Sequence, residues 1–319
     1  MTLVSDLSRD VMRGLTTTPK ALPSKLLYDD RGSQLFQQIM NLPEYYPTDC
    51  EMEILSEQSA AILARLQQNS DKTAFQVIEL GAGDGTKTRQ LLQTMLQAGV
   101  PTTYLPIDIS EEANQSLKKA LSPVLPQLDI KPITGEYFRA LEQAAERPGA
   151  QRLVLFLGSN IGNFTYPATF TFLKQLRHQL QTGDRVMIGF DLRKAPQTIL
   201  DAYNDKQGIT RAFNLNLLQR LNRELDAHFD VAKFDFFPCY NPEEGAVRSF
   251  LVSLKKQVVP IDRLQINVSF EAFETIHTES SRKYSLQEIN ELAEKSGFEI
   301  EGSFTDKRHY FADVLWKAV

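Results

Sequence analysis

The 319-residue sequence predicts an α/β protein: an open parallel sheet covered by helices on both faces, closed by an antiparallel terminal hairpin, with a separate α+β domain. Three observations predict it. From about residue 72, short apolar strands alternate with helical sequence, the pattern of a parallel sheet buried on both sides. The alternation stops at residue 194 and returns at 285, so 194–284 reads as an insertion. Residues 1–55 fit neither pattern and group with the insertion.

In chain order, residues 1–50 are rich in turn formers and aromatics (TTTPKALPSKLLYDDRGS, NLPEYYPTDCE), too irregular for a core layer. Thr48 and Glu51 have capping-box spacing and predict the start of a helix that faces inward through Ile54, Leu55, Ile62, Leu63 and Leu66. Gln76–Leu80 is the first strand, ending in Gly81-Ala-Gly83-Asp-Gly85, and a helix follows with Leu91, Leu92, Met95 and Leu96 inward. Tyr104–Asp108 is the second strand, and Ser110 caps the helix over 111–120. Leu128–Ile133, Arg152–Leu157 and Arg185–Asp191 are the third, fourth and fifth strands. The insertion holds helical sequence (ITRAFNLNLLQRLNRELDAHF) and two strand-like pieces, Arg248–Leu254 and 267–276. Ser285 and Glu288 form a second capping box, Gly297 stops that helix, and Phe298–Ser303 with Tyr310–Ala318 make the hairpin. The expected domains are therefore a core of 56–193 completed by 285–319, and a lid of 1–55 with 194–284 over the carboxyl ends of the strands.

Composition narrows the class. A net charge of -5 with no basic stripe argues against nucleic acid as a partner. No apolar run approaches the roughly 20 residues that cross a bilayer, and acidic residues interrupt the N-terminus where a secretory signal is apolar. A cytoplasmic monomer that acts on a small molecule, with no membrane partner, is the expectation. Cys50 and Cys239 lie far apart without metal-ligand spacing, and His178, His228, His277 and His309 are dispersed, so two buried free thiols and no metal are expected.

The first strand-to-helix turn carries the chemistry. Glu79-Leu-Gly81-Ala-Gly83-Asp-Gly85 brings its third glycine one position earlier than the dinucleotide fingerprint does. This E-x-G-x-G-x-G form resembles the first motif of class I S-adenosylmethionine methyltransferases, whose Rossmann-like fold matches the element order. Asp108, ending the second strand, offers a carboxylate to both ribose hydroxyls. Glu136 and Tyr137 follow the third strand, placed to flank an adenine.

Over most of its length the chain is similar to the histidine Nα-methyltransferases of ergothioneine biosynthesis. The resemblance runs through LTTTPKALPSKLLYDDRGSQLFQQIMNLPEYYPT (15–48), ELGAGDGTKT, FLGSNIGNF (156–164), AYND (202–205), ITRAFNLNLL (209–218), YNPEEGAVRSFLVS (240–253) and HTESSRKY (277–284). It implies three methyl transfers from S-adenosylmethionine to the α-amino nitrogen of L-histidine, giving hercynine. It implies further that Tyr28, Tyr45, Asn163 and Tyr203 surround the amino acid, with Asn163 and Tyr203 on its carboxylate. Glu279 would accept from an imidazole N–H with Ser281 nearby, and Gly81, Lys87, Asp108, Glu136 and Tyr137 would hold the cofactor. Two departures stand out. The family pattern has Asp-Phe where this chain has Glu136-Tyr137, and its best-known members have a methionine that packs against the imidazole where this chain has Ser249.

No dedicated general base stands out. Tyr28 is the candidate for relaying a proton or orienting a water, and aromatic faces such as Tyr45 suit a nitrogen that gains positive charge. Residue by residue, plainer readings stay open: Tyr45 as a core aromatic, Glu279 as a surface charge beside Arg282 and Lys283, Asn163 as a turn residue, Ser249 as a strand residue without a ligand. At the level of function the alternatives are methylation of another amino acid such as tryptophan, a non-catalytic S-adenosylmethionine-binding module, and a nicotinamide-dependent oxidoreductase, which the early third glycine disfavours.

Overall fold

Strand Ala74–Leu80 is the hub of the larger sheet in the computed structural model, which describes residues 6–68, 74–144 and 150–319. It pairs in parallel with Thr102–Asp108 on one side and with Ala150–Phe156 on the other. Arg185–Asp191 lies beyond Ala150–Phe156, followed by Phe311–Ala318 and the edge strand Phe298–Thr305. The pairings are parallel except the two made by Phe311–Ala318, the antiparallel terminal hairpin among them. This mixed α/β sheet belongs to a unit formed by Pro47–Arg193 and Lys283–Val319.

The hub shows why its sequence reads as a continuous apolar run. Phe75 and Val77 pack on one face with helices Thr88–Gln97 and Glu111–Leu121, through Leu91, Leu92, Met95, Leu117 and Leu121. Ile78 and Leu80 pack on the other with helices Tyr137–Gln143, Tyr166–His178 and Leu286–Ser296. A strand covered on both faces has no solvent side on which to place polar residues. Strand order reverses at the hub: the chain first lays Thr102–Asp108 on one flank, then returns to lay Ala150–Phe156 on the other. That reversal opens a crevice at the carboxyl ends of the two strands, where sheets of this kind bind ligands.

Two expectations for this unit need correction. Helix Tyr46–Gln67 already includes Thr48, so Thr48 does not cap it; the helix also runs unbroken through residue 55. The third strand is two short pieces, Asp129–Ile130 and Ile133–Thr134, both on Thr102–Asp108. Pro132, which has no N–H to give a ladder, lies between them. The Ser285 capping box and the left-handed Gly297 stop are both present.

The second unit comprises Met1–Tyr46 and Lys194–Arg282. Its four-stranded sheet has the order Lys20–Ala21, Thr275–Arg282, Ala246–Ser253, Phe234–Asn241, and a two-stranded ribbon joins Gln257–Ile261 to Ile266–Phe270. The stretch 267–276 is therefore not one strand: it turns at Glu271–Glu274 and divides between two sheets. Phe234–Asn241 was missed because Pro238 interrupts it, which an edge strand tolerates. The N-terminal segment is also more ordered than its composition suggests. Helices Asp6–Thr16 and Asp30–Met40 bury Val11, Leu15, Leu35 and Ile39 in one core with Phe213, Leu217, Leu218 and Leu221 of helix Ile209–Leu225. Cys50 is buried and Cys239 only half-buried, and neither is in a disulfide. No helix among the described residues is long and apolar enough to cross a membrane.

Candidate active site

The turn after the hub strand is shaped by its glycines. Gly81, Gly83 and Gly85 all have positive φ. A Cβ on Gly81 would stand 2.9 Å from the Tyr137 hydroxyl, and one on Gly85 would press on Leu117 and Leu121 at 3.1–3.3 Å. At Gly83 a Cβ would meet nothing within 4 Å, so the backbone there borders open space. The Gly81 N–H donates to the Ile107 carbonyl at 2.8 Å, tying the turn to the strand that ends in Asp108.

Asp108 is half-buried, and its Oδ1 accepts from the Ser110 N–H at 2.9 Å. Glu136 is exposed at the start of helix Tyr137–Gln143. Tyr137 sets its ring edge-on to Phe156 (5.8 Å), and burial, then the Asp108 charge, push its hydroxyl up to about 12. Gly81, Asp108, Glu136 and Tyr137 thus gather around the carboxyl end of the hub. Lys87 is close by, its ammonium paired with Glu51. Burial alone would lower Lys87, but Glu51, Asp313 and Glu79 hold it above its ordinary value. Asn163 ends the one-turn helix Asn160–Asn163 after the fourth strand; it is half-buried.

In the other unit, Ser249 and Glu279 are directly opposed on adjacent antiparallel strands, and Ser281 is paired with Val247 two positions on. Opposed residues share a face, as do residues two apart, so Ser249, Glu279 and Ser281 line one face. Leu251 and Ile276 continue that register into the apolar core. A face that changes from Leu and Ile to Ser and Glu while Ser249 and Ser281 stay buried is built for a polar occupant or partner. The Tyr203 hydroxyl donates to Ser281 Oγ at 2.7 Å, and Tyr45 stands edge-on to Tyr203 with centroids 6.4 Å apart. Tyr28 lies edge-on to Phe36 and Phe213, each at 5.4 Å. A bulge between His277 and Glu279 sets this register, and Thr278 there donates to Asn214 at 2.8 Å.

Several supporting residues escaped sequence reasoning. Glu79, which the sequence marks only as a motif position, accepts from Thr88 (2.6 Å) and Tyr104, and burial raises its carboxyl to about 7 against those hydrogen bonds. Glu51, read as a capping residue, instead joins Lys87 to the Gly158 N–H at 2.7 Å. Asp29, next to Tyr28 in the chain, accepts from Gly32 N–H, Asn216 and Arg223 at 2.7, 2.7 and 2.5 Å. Burial would raise the Asp29 carboxyl, and those donors keep it below its ordinary value. Asp205, two residues after Tyr203, accepts from the Ile209 and Thr210 N–H groups at 2.9 and 2.8 Å. One signal was available: single acidic residues inside apolar stretches, as in FADVLW around Asp313.

Comparison with known proteins agrees with the sheet. The model of the histidine-specific, S-adenosylmethionine-dependent methyltransferases matches residues 7–318. A histidine N-alpha-methyltransferase of Mycolicibacterium smegmatis is 38% identical over 289 residues, covering 90% of this chain and 88% of the relative. One of Mycobacterium tuberculosis is 36% identical over 288 residues, covering 90% and 87%. Among solved structures, mitomycin 7-O-methyltransferase superposes with a TM-score of 0.50 over 99% of this chain and 69% of that one; at 13% identity the likeness is one of fold. The match to the family model over nearly the whole chain and the identity to both mycobacterial enzymes lead to one conclusion: this chain belongs to the histidine-specific, S-adenosylmethionine-dependent methyltransferase family.

Proposed function

We propose that this protein transfers three methyl groups in succession from S-adenosylmethionine to the α-amino nitrogen of L-histidine, giving hercynine. The observation that carries the acceptor is the polar sheet face of half-buried Glu279 with buried Ser249 and Ser281, with Tyr203 bonded to Ser281. A carboxylate among hydroxyls suits a ring that offers an N–H. The names of the 38% and 36% identical relatives point to the same acceptor.

The residues of the hub turn fit the methyl donor. Gly83 borders open space, and Asp108 has acceptor capacity beyond its bond to Ser110. When bound, S-adenosylmethionine supplies a methyl carbon attached to a good thioether leaving group. In this reading Gly81, Lys87, Asp108, Glu136 and Tyr137 hold the donor, with the Asp108 carboxylate on the ribose hydroxyls. Asn163 and Tyr203 take the α-carboxylate of the acceptor. For that the Tyr203 O–H turns from Ser281 to the ligand, and the Ser281 hydroxyl reverses and donates to Tyr203, as a hydroxyl can. Glu279 accepts the imidazole N–H and so orients the amine, and orientation is the main contribution when the leaving group is already good. Tyr28 orients the water or relays the proton that the amine must lose. Tyr45 offers a ring to the cation that forms.

Product masses after incubation with S-adenosylmethionine and histidine test the reaction; mono-, di- and trimethylhistidine are expected in sequence. E279A is expected to raise KM for histidine about tenfold or more while leaving KM for S-adenosylmethionine within about twofold, as loss of one charged hydrogen bond in a buried site implies. Equal loss of both would assign Glu279 to folding. A second acceptor class is favoured by one feature. Ser249, opposite Glu279, is smaller than the methionine common in the family, so an indole amino acid is the rival that a panel of amino acids would reveal.

A further inference from the structure

Glu51 and Asp313, two acidic residues without a role in the reaction so far, meet Lys87 beside the crevice where strand order reverses. Both carboxyls are fully buried. Glu51 Oε1 accepts from the Gly158 N–H at 2.7 Å, while Oε2 pairs with the Lys87 ammonium. Asp313 stands directly opposite Gly189 in the antiparallel pairing of Phe311–Ala318 with Arg185–Asp191. A Cβ on Gly189 would collide with Glu51 Oε1, so the bare glycine is what admits the Glu51 carboxylate beside Asp313. Neither Asp313 oxygen receives a donor from the described residues. Glu51 is the acidic group that faces Asp313 across Gly189, and two carboxyls brought side by side in a buried site do not both stay ionised.

We propose that Asp313 keeps its proton and donates it to Glu51, and that this acid–carboxylate pair is the positioning device that sets Lys87 and the Gly158 N–H for binding the methyl donor. The charges fit. Glu51 and Lys87 are the charged groups facing Asp313, and Lys87 also faces Glu79. One ammonium balances one buried carboxylate, and a second would stand uncompensated. Burial and the Glu51 charge accordingly raise Asp313 well above its ordinary value, against the opposing pull of Lys87. The mechanical result is a single carboxylate bridging two turns. Lys87 follows the glycine turn of the hub strand, and Gly158 opens the left-handed turn after Ala150–Phe156. Glu51 takes one of the three ammonium N–H groups, which leaves donors for the carboxylate of the methyl donor.

This inference rests on the S-adenosylmethionine dependence of the family and not on the acceptor, so it is tested by binding of S-adenosylmethionine without histidine. By calorimetry, D313A is expected to weaken affinity about tenfold by removing the O–H that Glu51 accepts beside the Gly158 N–H and the Lys87 ammonium, while D313N, which still donates, stays within about threefold of the wild type. G189A, which displaces Glu51 and leaves Asp313 intact, is expected to lose as much as D313A. In all three KM for histidine is expected to hold. An infrared difference spectrum of wild type minus D313N at about pH 8 is expected to show one protonated carboxylic acid band. Wild-type affinity in D313A and G189A, a loss in D313N equal to that in D313A, or no acid band in the difference spectrum would each overturn the proposal.

Discussion

Glu79 shows how one side chain can be visible in a sequence while its work is not. Its place in E-x-G-x-G-x-G was legible, but Thr88 and Tyr104, which donate to it, come from a helix and a neighbouring strand. Burial raises its carboxyl from 4.5 to about 7. In the unfolded chain the group ionises near 4.5, so between the two values the folded state binds the extra proton. Stability contributed by this group is therefore present below about pH 4.5 and declines as pH rises toward 7. E79Q removes that titration. Relative to the wild type, the variant is expected to gain up to about 3 kcal/mol of unfolding free energy between pH 4.5 and pH 8. Denaturant melts at the two pH values check this, and a constant offset would show that Glu79 titrates normally. Glu51, Asp313 and Asp29 were less legible than Glu79, because their partners lie tens to hundreds of positions away and only folding brings them near. Tyr28, Tyr45, Asn163, Tyr203, Glu279 and Ser281 stood out only through motif resemblance, since composition and spacing alone leave each a plain structural residue.

Elements were readable where periodicity and caps agree. The strands Ala74–Leu80, Thr102–Asp108, Ala150–Phe156 and Arg185–Asp191 were found within a few residues because burial on both faces writes them as apolar runs. The helix from Leu286 was found through Ser285 and Glu288, whose reciprocal bonds measure 3.1 and 2.8 Å. The same signature misled at Thr48, since Glu51 is drawn instead to Lys87 and Gly158. Mutation separates the two cases. S285A is expected to cost about 1 kcal/mol and lower the melting temperature by a few degrees, whereas T48A, inside helix Tyr46–Gln67, is expected to be neutral or slightly stabilising. A comparable loss at both positions would restore Thr48 as a cap. Helices Asp6–Thr16 and Asp30–Met40 escaped notice because each offers only a short apolar stripe, Val11 with Leu15 and Leu35 with Ile39, among turn-forming residues. Phe234–Asn241 hid behind Pro238, and Gln257–Ile261 is too short to declare itself.

For the whole molecule, strand order decides where chemistry can occur. The reversal at Ala74–Leu80 places Gly81, Asp108, Lys87 and Gly158 at the carboxyl ends of the sheet, and the methyl-donor chemistry of the family follows from that placement. The acceptor depends on a different observation, a sheet face where Ser249, Glu279 and Ser281 replace the apolar residues that continue the register. D108A is accordingly expected to weaken S-adenosylmethionine binding about tenfold without changing KM for histidine, the converse of E279A. Mass analysis of a single reaction mixture of protein, S-adenosylmethionine and L-histidine tests the assignment most directly. Histidine carrying one, then two, then three methyl groups on its α-nitrogen is expected. Turnover of S-adenosylmethionine on another amino acid of a mixed panel, with histidine left unmodified, would contradict it.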